Sequence, residues 1–222
     1  MKQELVISPS ILSLDYSRCS EEVALLNESK AKWMHFDVMD GHFVPNLTFG
    51  PDILKGMKKA SPLFMDVHIM VDDPRFISSI FIKAGADLVT FHLEACKDLQ
   101  DAIALAKEIR AQGCKAGISV KPKTSVEPLL PYLSEFNLVL IMSVEPGFGG
   151  QSFMEDQLEK VRLVRKTIDE NNLNVRLEID GGINDKTADL AIEAGCDTLV
   201  AGSYVFKNGI KESCELLWNK QF

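Results

Sequence analysis

Eight short apolar runs recur along this chain, and the alternation of these runs with longer amphipathic stretches limits the possible folds more than any other feature. The runs are Leu5–Leu12, Trp33–Met39, Leu63–Val71, Leu88–Glu94, Lys115–Val120, Leu138–Val144, Val175–Ile179 and Thr198–Ala201. They are rich in Val and Ile and too short for typical helices, so they read as buried strands. Helical patterns lie between them. One follows Ser20 through Glu21, Val23, Leu25 and Leu26; Leu99–Gln112 ends at Gly113; Gln157–Asn171 spaces Leu158, Val161, Val164 and Ile168 at helical intervals; Asp185–Ala194 ends at Gly195. Ala84-Gly85-Ala86-Asp87-Leu88-Val89 and Ala194-Gly195-Cys196-Asp197-Thr198-Leu199-Val200 echo each other as helix end, glycine stop and strand entry, the mark of a repeated βα unit.

Regular βα alternation predicts a parallel sheet covered by helices. Eight units in 222 residues fit a closed (β/α)₈ TIM barrel in a single domain, near the lower end of its size range. An open doubly wound sheet is the alternative; it fits less well, because eight strands would make a very wide sheet for so short a chain. No Ser/Pro/Gly-rich linker or charge run divides the sequence.

With 24 Lys and Arg against 32 Asp and Glu, the net charge is −8. An acidic chain without a basic block is a poor binder of nucleic acid or anionic membrane. No apolar run is long enough to span a bilayer, and the run after Met1-Lys2-Gln3-Glu4 is too short for a signal peptide. The five cysteines show no C-x-x-C spacing, which fits buried reduced thiols in a cytoplasmic protein.

Ionisable residues interrupt three of the runs. His35 and Asp37 are two apart, so both face one side of a strand. His68 lies in the third run and Asp180 at the end of the seventh. Barrel active sites sit at the C-terminal ends of strands, and all four residues are read in the second half of their runs. A lone strand histidine is more often structural than ligating. Two imidazoles and two carboxylates converging from three strands form a mixed N/O site for one divalent metal, and the carboxylates could also move protons. His92, in the fourth run, is a rival ligand but reads better as a hydrogen-bonded core or supporting residue.

Three glycine turns follow the last three runs: Pro146-Gly147-Phe148-Gly149-Gly150-Gln151, Asp180-Gly181-Gly182-Ile183 and Ala201-Gly202-Ser203. A single such turn would only mark a tight βα connection. Three on neighbouring strands, with no Lys or Arg in Glu145–Glu155 or Asp180–Asp185, point to a phosphate held by backbone N–H groups. Met39 and Met70 lie two residues past Asp37 and His68, so they face the same side; with Met142 they suggest a polarizable pocket wall, or simple core filling. Asp37-Val38-Met39-Asp40 lacks the Lys between two Asp expected of an orotidine-phosphate decarboxylase.

Together these residues resemble the ribulose-phosphate 3-epimerase family over essentially the whole chain. The resemblance rests on Ile7-Ser8-Pro9-Ser10-Ile11-Leu12, on His35-Phe36-Asp37-Val38-Met39-Asp40-Gly41-His42-Phe43-Val44-Pro45-Asn46, and on Asp66-Val67-His68-Ile69-Met70. It also rests on Met142-Ser143-Val144-Glu145-Pro146-Gly147-Phe148-Gly149-Gly150-Gln151 and Asp180-Gly181-Gly182-Ile183. It implies a (β/α)₈ barrel interconverting D-ribulose 5-phosphate and D-xylulose 5-phosphate, a small phosphorylated ketose pair, and assembly into a homo-oligomer. It also implies that His35, Asp37, His68 and Asp180 hold one divalent metal, zinc or iron foremost and manganese or cobalt as alternatives. Asp37 and Asp180 would be the acid/base pair, and Ser10 and His68 would contact the sugar. Gly147, Phe148, Gly149, Gly150, Gly181, Gly182, Gly202 and Ser203 would hold the phosphate. Two positions depart from the family pattern: Lys121-Pro122 replaces Asn-Pro, and Leu14 replaces a small residue. A sister branch acts on D-allulose 6-phosphate and interrupts the second Gly-Gly and the Asp-Gly-Gly; both are intact here, which favours the pentulose. A non-catalytic phosphosugar-binding barrel is the other alternative, and simple binding would need no acid/base pair.

Overall fold

A computed structural model describes residues 3–220 of the chain. The runs become strands β1 (Val6–Pro9), β2 (Trp33–Met39), β3 (Phe64–Met70), β4 (Leu88–His92), β5 (Lys115–Val120), β6 (Leu138–Met142), β7 (Arg176–Asp180) and β8 (Thr198–Ala201). All pair in parallel in the order β1-β8-β7-β6-β5-β4-β3-β2. The two ends meet through a parallel bridge between Ser10 and His35, so the sheet closes into a barrel rather than the open doubly wound alternative. No helix among the described residues is long and apolar enough to cross a membrane.

Several runs are longer than the strands they contain. The first stops at Pro9 because the Ser10 hydroxyl accepts the Leu12 N–H at 3.3 Å and caps a 3₁₀ turn, Ile11–Ser13. The fourth stops at His92, where a second 3₁₀ turn, Leu93–Ala95, begins. His35 is third of the seven residues of β2, so it lies in the first half of its strand, one layer deeper than Asp37, and not in the second half as expected from sequence.

Helices α1 (Cys19–Asn27), α2 (Pro51–Ala60), α3 (Pro74–Ala84), α4 (Leu99–Ala111), α5 (Leu158–Glu170), α6 (Thr187–Ala194), α7 (Ser203–Lys207) and α8 (Ile210–Asn219) surround the sheet. α6 starts two residues later than the expected Asp185, because the Asn184 side chain accepts the Lys186 and Thr187 N–H groups in a turn of its own. Between β5 and β6 the cover is a 3₁₀ helix, Glu127–Glu135, with Pro131 inside it; that proline cannot donate the bond an α-helix needs.

The main apolar core lies between sheet and helices, where outward strand residues such as Phe36, Val67, Phe91 and Ile141 meet Leu54, Phe81, Leu105 and Val161. Inside the barrel, Leu88, Leu138 and Leu140 pack with Trp33 and Phe64, whose rings stack at 4.6 Å. This apolar layer forms a floor. Above it the interior is polar: Ser8, His35, Asp66, His68, Thr90, His92, Ser119 and Glu178 are all fully buried.

The echoed glycines end α3 and α6 in the left-handed conformation, with φ of 111° at Gly85 and 120° at Gly195. A Cβ at Gly85 would meet Lys58 Cγ at 3.3 Å, whereas one at Gly195 would lie 2.5 Å from Arg165 Cγ and 2.7 Å from Arg165 Cβ. Arg165 is held there by the Gly195 carbonyl at 2.8 Å and by Asp197 at 2.7 Å. Gly85→Ala should therefore cost about 1–2 kcal/mol, a melting-temperature loss of about 2–8 °C. Gly195→Ala should cost more. Equal losses in thermal denaturation would contradict the role assigned to Arg165.

Candidate active site

Side-chain alternation places three ionisable pairs on the inner wall: His35 and Asp37 from β2, Asp66 and His68 from β3, Glu178 and Asp180 from β7. The strand register sets Asp37 beside His68 and His35 beside Asp66. Asp37 Oδ1 lies 3.4 Å from His35 Nε2 and 3.5 Å from His68 Nδ1, and Asp180 Oδ2 lies 4.0 Å from each of these nitrogens. All four donor atoms fall within 4.8 Å of one another. The expected His₂Asp₂ set thus converges on one point.

The donor set fits a divalent metal. His35 Nε2 and His68 Nδ1 are buried and have no hydrogen-bond partner, a costly state unless a cation takes their lone pairs. Ligands about 2.0–2.1 Å from a tetrahedral zinc lie about 3.3–3.4 Å apart, close to the shorter donor separations in this site.

Three of the four donors, His35, His68 and Asp37, have a hydrogen-bond partner on the side away from the site. His35 Nδ1 meets Asp66 Oδ2 at 2.6 Å, and the Ser8 hydroxyl donates to the same oxygen at 3.0 Å. His68 Nε2 meets His92 Nε2 at 2.8 Å, and His92 Nδ1 meets Glu94 at 3.2 Å. The Ser10 hydroxyl donates to Asp37 Oδ2 at 2.5 Å. His92 is therefore outside the donor group and supports His68. Sequence reasoning misses Asp66, Glu178 and Glu94. For the first two a signal exists: each stands two residues from a recognised site residue in its own strand, the spacing that identifies His35 with Asp37.

Burial and crowding push these groups apart in ionisation. Burial, with the nearby Asp37 charge, raises Asp180 to about 7. Burial also opposes ionisation of Asp37, but His35 and His68 outweigh it and hold that carboxyl far below its usual range. Burial lowers His35 too, yet Asp66 and Asp37 outweigh it and raise its pKa. Burial leaves His68 lowered and takes His92 down to about 4. Burial, reinforced by the charge of Asp66, raises Glu178 well above the usual carboxylate range.

Above the donors opens a cavity that is continuous with solvent. Asp37 and Asp180 form its base beside Ser10, Met39, Met70 and Met142; Gly147, Phe148, Gly149, Gly150, Gly181, Gly182, Gly202 and Ser203 form its other side. His35 and His68 do not line it. His68, expected to touch the sugar, is fully buried beneath the carboxylates. No Lys or Arg among the described residues lines the cavity. Lys121 instead places its Nζ 3.6 Å over the Phe43 ring, and Leu14 is buried in the outer core. The N–H groups of Gly149 and Gly150 donate to no other group among the described residues. Gly182 has no alternative residue, since its φ is 65° and a Cβ there would lie 2.5 Å from the Phe153 nitrogen. Gly149 has neither constraint: its φ is outside the left-handed range and its nearest side-chain atom would be 3.8 Å from a Cβ. The Asn46 amide donates to the Gly147 carbonyl at 2.7 Å, and the Gln151 amide donates to the carbonyls of Glu145 and Phe148, so the loop is tied at both ends.

Residues 6–206 match the model of the Ribulose-phosphate 3 epimerase family. The chain is 50% identical over 201 residues to the ribulose-phosphate 3-epimerase of Mycobacterium tuberculosis, covering 90% of this chain and 86% of that protein. It is 43% identical over 201 residues to the Bacillus subtilis enzyme of the same name, covering 90% and 91%. It is 42% identical over 219 residues to the chloroplastic ribulose-5-phosphate-3-epimerase of Arabidopsis thaliana, covering 97% and 76%. Among solved structures, N-(5'-phosphoribosyl)anthranilate isomerase from Pyrococcus furiosus superposes with a TM-score of 0.64 at 15% identity, covering 98% of both chains. That likeness concerns the barrel alone.

Without metal, Asp180 holds a proton below about pH 7, and the raised pKa of His35 keeps its proton as well. A cation must displace both protons. Cobalt(II) affinity of the metal-stripped protein should therefore fall at least about tenfold per pH unit below pH 7, measured by titration between pH 5.5 and 8. An affinity independent of pH would contradict these ionisation states.

Proposed function

This chain belongs to the ribulose-phosphate 3-epimerase family, and we propose that it inverts C3 of D-ribulose 5-phosphate with Asp37 and Asp180 as the proton-transferring pair. Inversion at that carbon gives D-xylulose 5-phosphate. The observation that carries the assignment is the convergence of two carboxylates, Asp37 from β2 and Asp180 from β7, at the base of one cavity. Such a pair can take a proton from a bound carbon and return one to it.

The two carboxylates reach the cavity from β2 and β7, which are separated around the wall by β1 and β8. Asp37 takes the C3 proton and leaves an enediolate. Asp180 returns a proton to the opposite face of the planar carbon, which inverts the centre; in the reverse direction the roles exchange. The Ser10 hydroxyl, bonded to Asp37 Oδ2, keeps that carboxylate oriented. A divalent metal held by His35, Asp37, His68 and Asp180 would supply Lewis-acid stabilisation of the negative charge developing on the sugar oxygens. The donor set suits zinc or iron, and also manganese or cobalt. Met39, Met70 and Met142 give the reacting carbons a polarizable wall without competing donors or acceptors.

The phosphate is assigned to the glycine side of the cavity. Gly149 and Gly150 line it with N–H groups that donate to no other described group, and no cation among the described residues lines it. Such a cradle suits an acidic chain. The hexulose phosphate is the second substrate considered, and the uninterrupted Gly149-Gly150 and Asp180-Gly181-Gly182 favour the pentulose. A binding protein without catalysis would not require the carboxylate pair.

The two halves of the cavity should separate in kinetics. Asp37→Asn or Asp180→Asn should lower kcat at least about a hundredfold. Gly149→Pro removes a donor and places a ring in the cradle, so it should chiefly raise KM for ribulose 5-phosphate. Steady-state epimerisation assays on folded variants check both. Either Asn variant at near wild-type kcat would remove that carboxylate from the mechanism, and a Gly149→Pro protein with unchanged KM would move the phosphate elsewhere.

A further inference from the structure

His68 can offer a lone pair to the site only in one of its two neutral tautomers. Its Nδ1 faces Asp37 Oδ1 at 3.5 Å and Asp180 Oδ2 at 4.0 Å and has no hydrogen-bond partner, so this is the nitrogen that must be bare. Its proton must then sit on Nε2. That nitrogen is 2.8 Å from His92 Nε2, with the two ring planes within 30° of each other, as an in-plane N–H···N bond requires. In such a pair one nitrogen donates and the other accepts, and nothing in the pair itself decides which.

The decision comes from the next residue outward. Glu94 stands in the 3₁₀ turn after β4, and its Oε2 is 3.2 Å from His92 Nδ1. Its other oxygen accepts the Lys121 backbone N–H at 2.7 Å, which fixes the carboxylate in place at the end of β5. A carboxylate only accepts. His92 must therefore carry its proton on Nδ1 and accept at Nε2, so His68 donates from Nε2 and presents a bare Nδ1. The reverse arrangement would set the His92 Nδ1 lone pair against a carboxylate oxygen.

We propose that Glu94 is a positioning residue which, acting through His92, fixes the tautomer and ring orientation of His68 so that Nδ1 faces the metal site. The chain Glu94–His92–His68 serves one ligand as Asp66 serves the other, one carboxylate further removed. The proposal rests on the reading of His68 as a metal ligand for its effect on affinity, but the tautomer itself is a property of the metal-free protein.

Two measurements test it on the full chain. Imidazole nitrogen-15 spectroscopy of metal-free wild type should show His68 protonated at Nε2; protonation at Nδ1 would overturn the proposal. Cobalt(II) affinity, read by competition with a chelator, should fall about 10–100-fold in Glu94→Leu. It should fall less in Glu94→Gln, whose single amide oxygen can accept from His92 but then leaves the Lys121 N–H without its acceptor. Glu94→Leu with wild-type affinity would overturn the proposal, as would an equal loss in both variants. A general loosening of the fold is separated by His92→Gln, which keeps an acceptor for His68 and should retain more affinity than His92→Leu; equal losses there also count against the proposal. Wild type that binds no divalent metal would refute the metal reading instead, and the His68 tautomer would still decide the role of Glu94.

Discussion

Too many ionisable groups are buried inside this barrel for all of them to be charged, and the structure is organised around that constraint. Asp37, Asp66 and Glu178 are buried with His35, His68 and His92, and Asp180 borders them at the cavity. An isolated buried charge is costly, and paired charges need good geometry and further hydrogen bonds to offset desolvation. The metal-free chain meets this in part by withholding ionisation, with Glu178 and Asp180 both raised. A divalent cation at the four donors would remove much of the remaining conflict, because it takes two unpaired imidazole nitrogens and balances two carboxylates. The same crowding sets the two carboxylates apart in the metal-free chain, with Asp37 lowered and Asp180 raised.

The surrounding fold makes this crowding tolerable. The apolar floor of Trp33, Phe64, Leu88, Leu138 and Leu140 seals the barrel below the polar layer, and the larger core outside the strands holds the wall fixed. Ligands projecting from strands are held more rigidly than ligands on loops. Loops form the glycine side of the cavity instead, and side-chain ties from Asn46 and Gln151 hold one of them.

Much of this is legible in the sequence for a simple reason: strand alternation has a fixed period. Eight apolar runs become eight strands, and His35 with Asp37 at a spacing of two can only share a face. The paired glycines Gly85 and Gly195 are legible as helix stops because left-handed caps strongly favour glycine. The depth of His35 is not, since a run's boundaries do not reveal where the barrel layers fall. Asp66 and Glu178 are hidden by the same apolar context that defines their strands, although both repeat the period-two pairing. The full burial of His68 is not legible either, because distance from the cavity depends on which layer a side chain occupies. Glu94 stands two residues past His92, but it lies in the 3₁₀ turn after β4, and only the packed barrel brings its other oxygen to the Lys121 N–H.

Two carboxylates that exchange protons across one carbon leave an isotopic record. The most direct measurement is the epimerisation of D-ribulose 5-phosphate in deuterium oxide by metal-loaded protein, with C3 of the first-formed D-xylulose 5-phosphate followed by nuclear magnetic resonance or mass spectrometry. The account predicts that the product carries solvent deuterium at C3 from the first turnovers, because one group removes the original hydrogen and a second, solvent-equilibrated group replaces it. Product that retains the substrate's own hydrogen at C3 would contradict it.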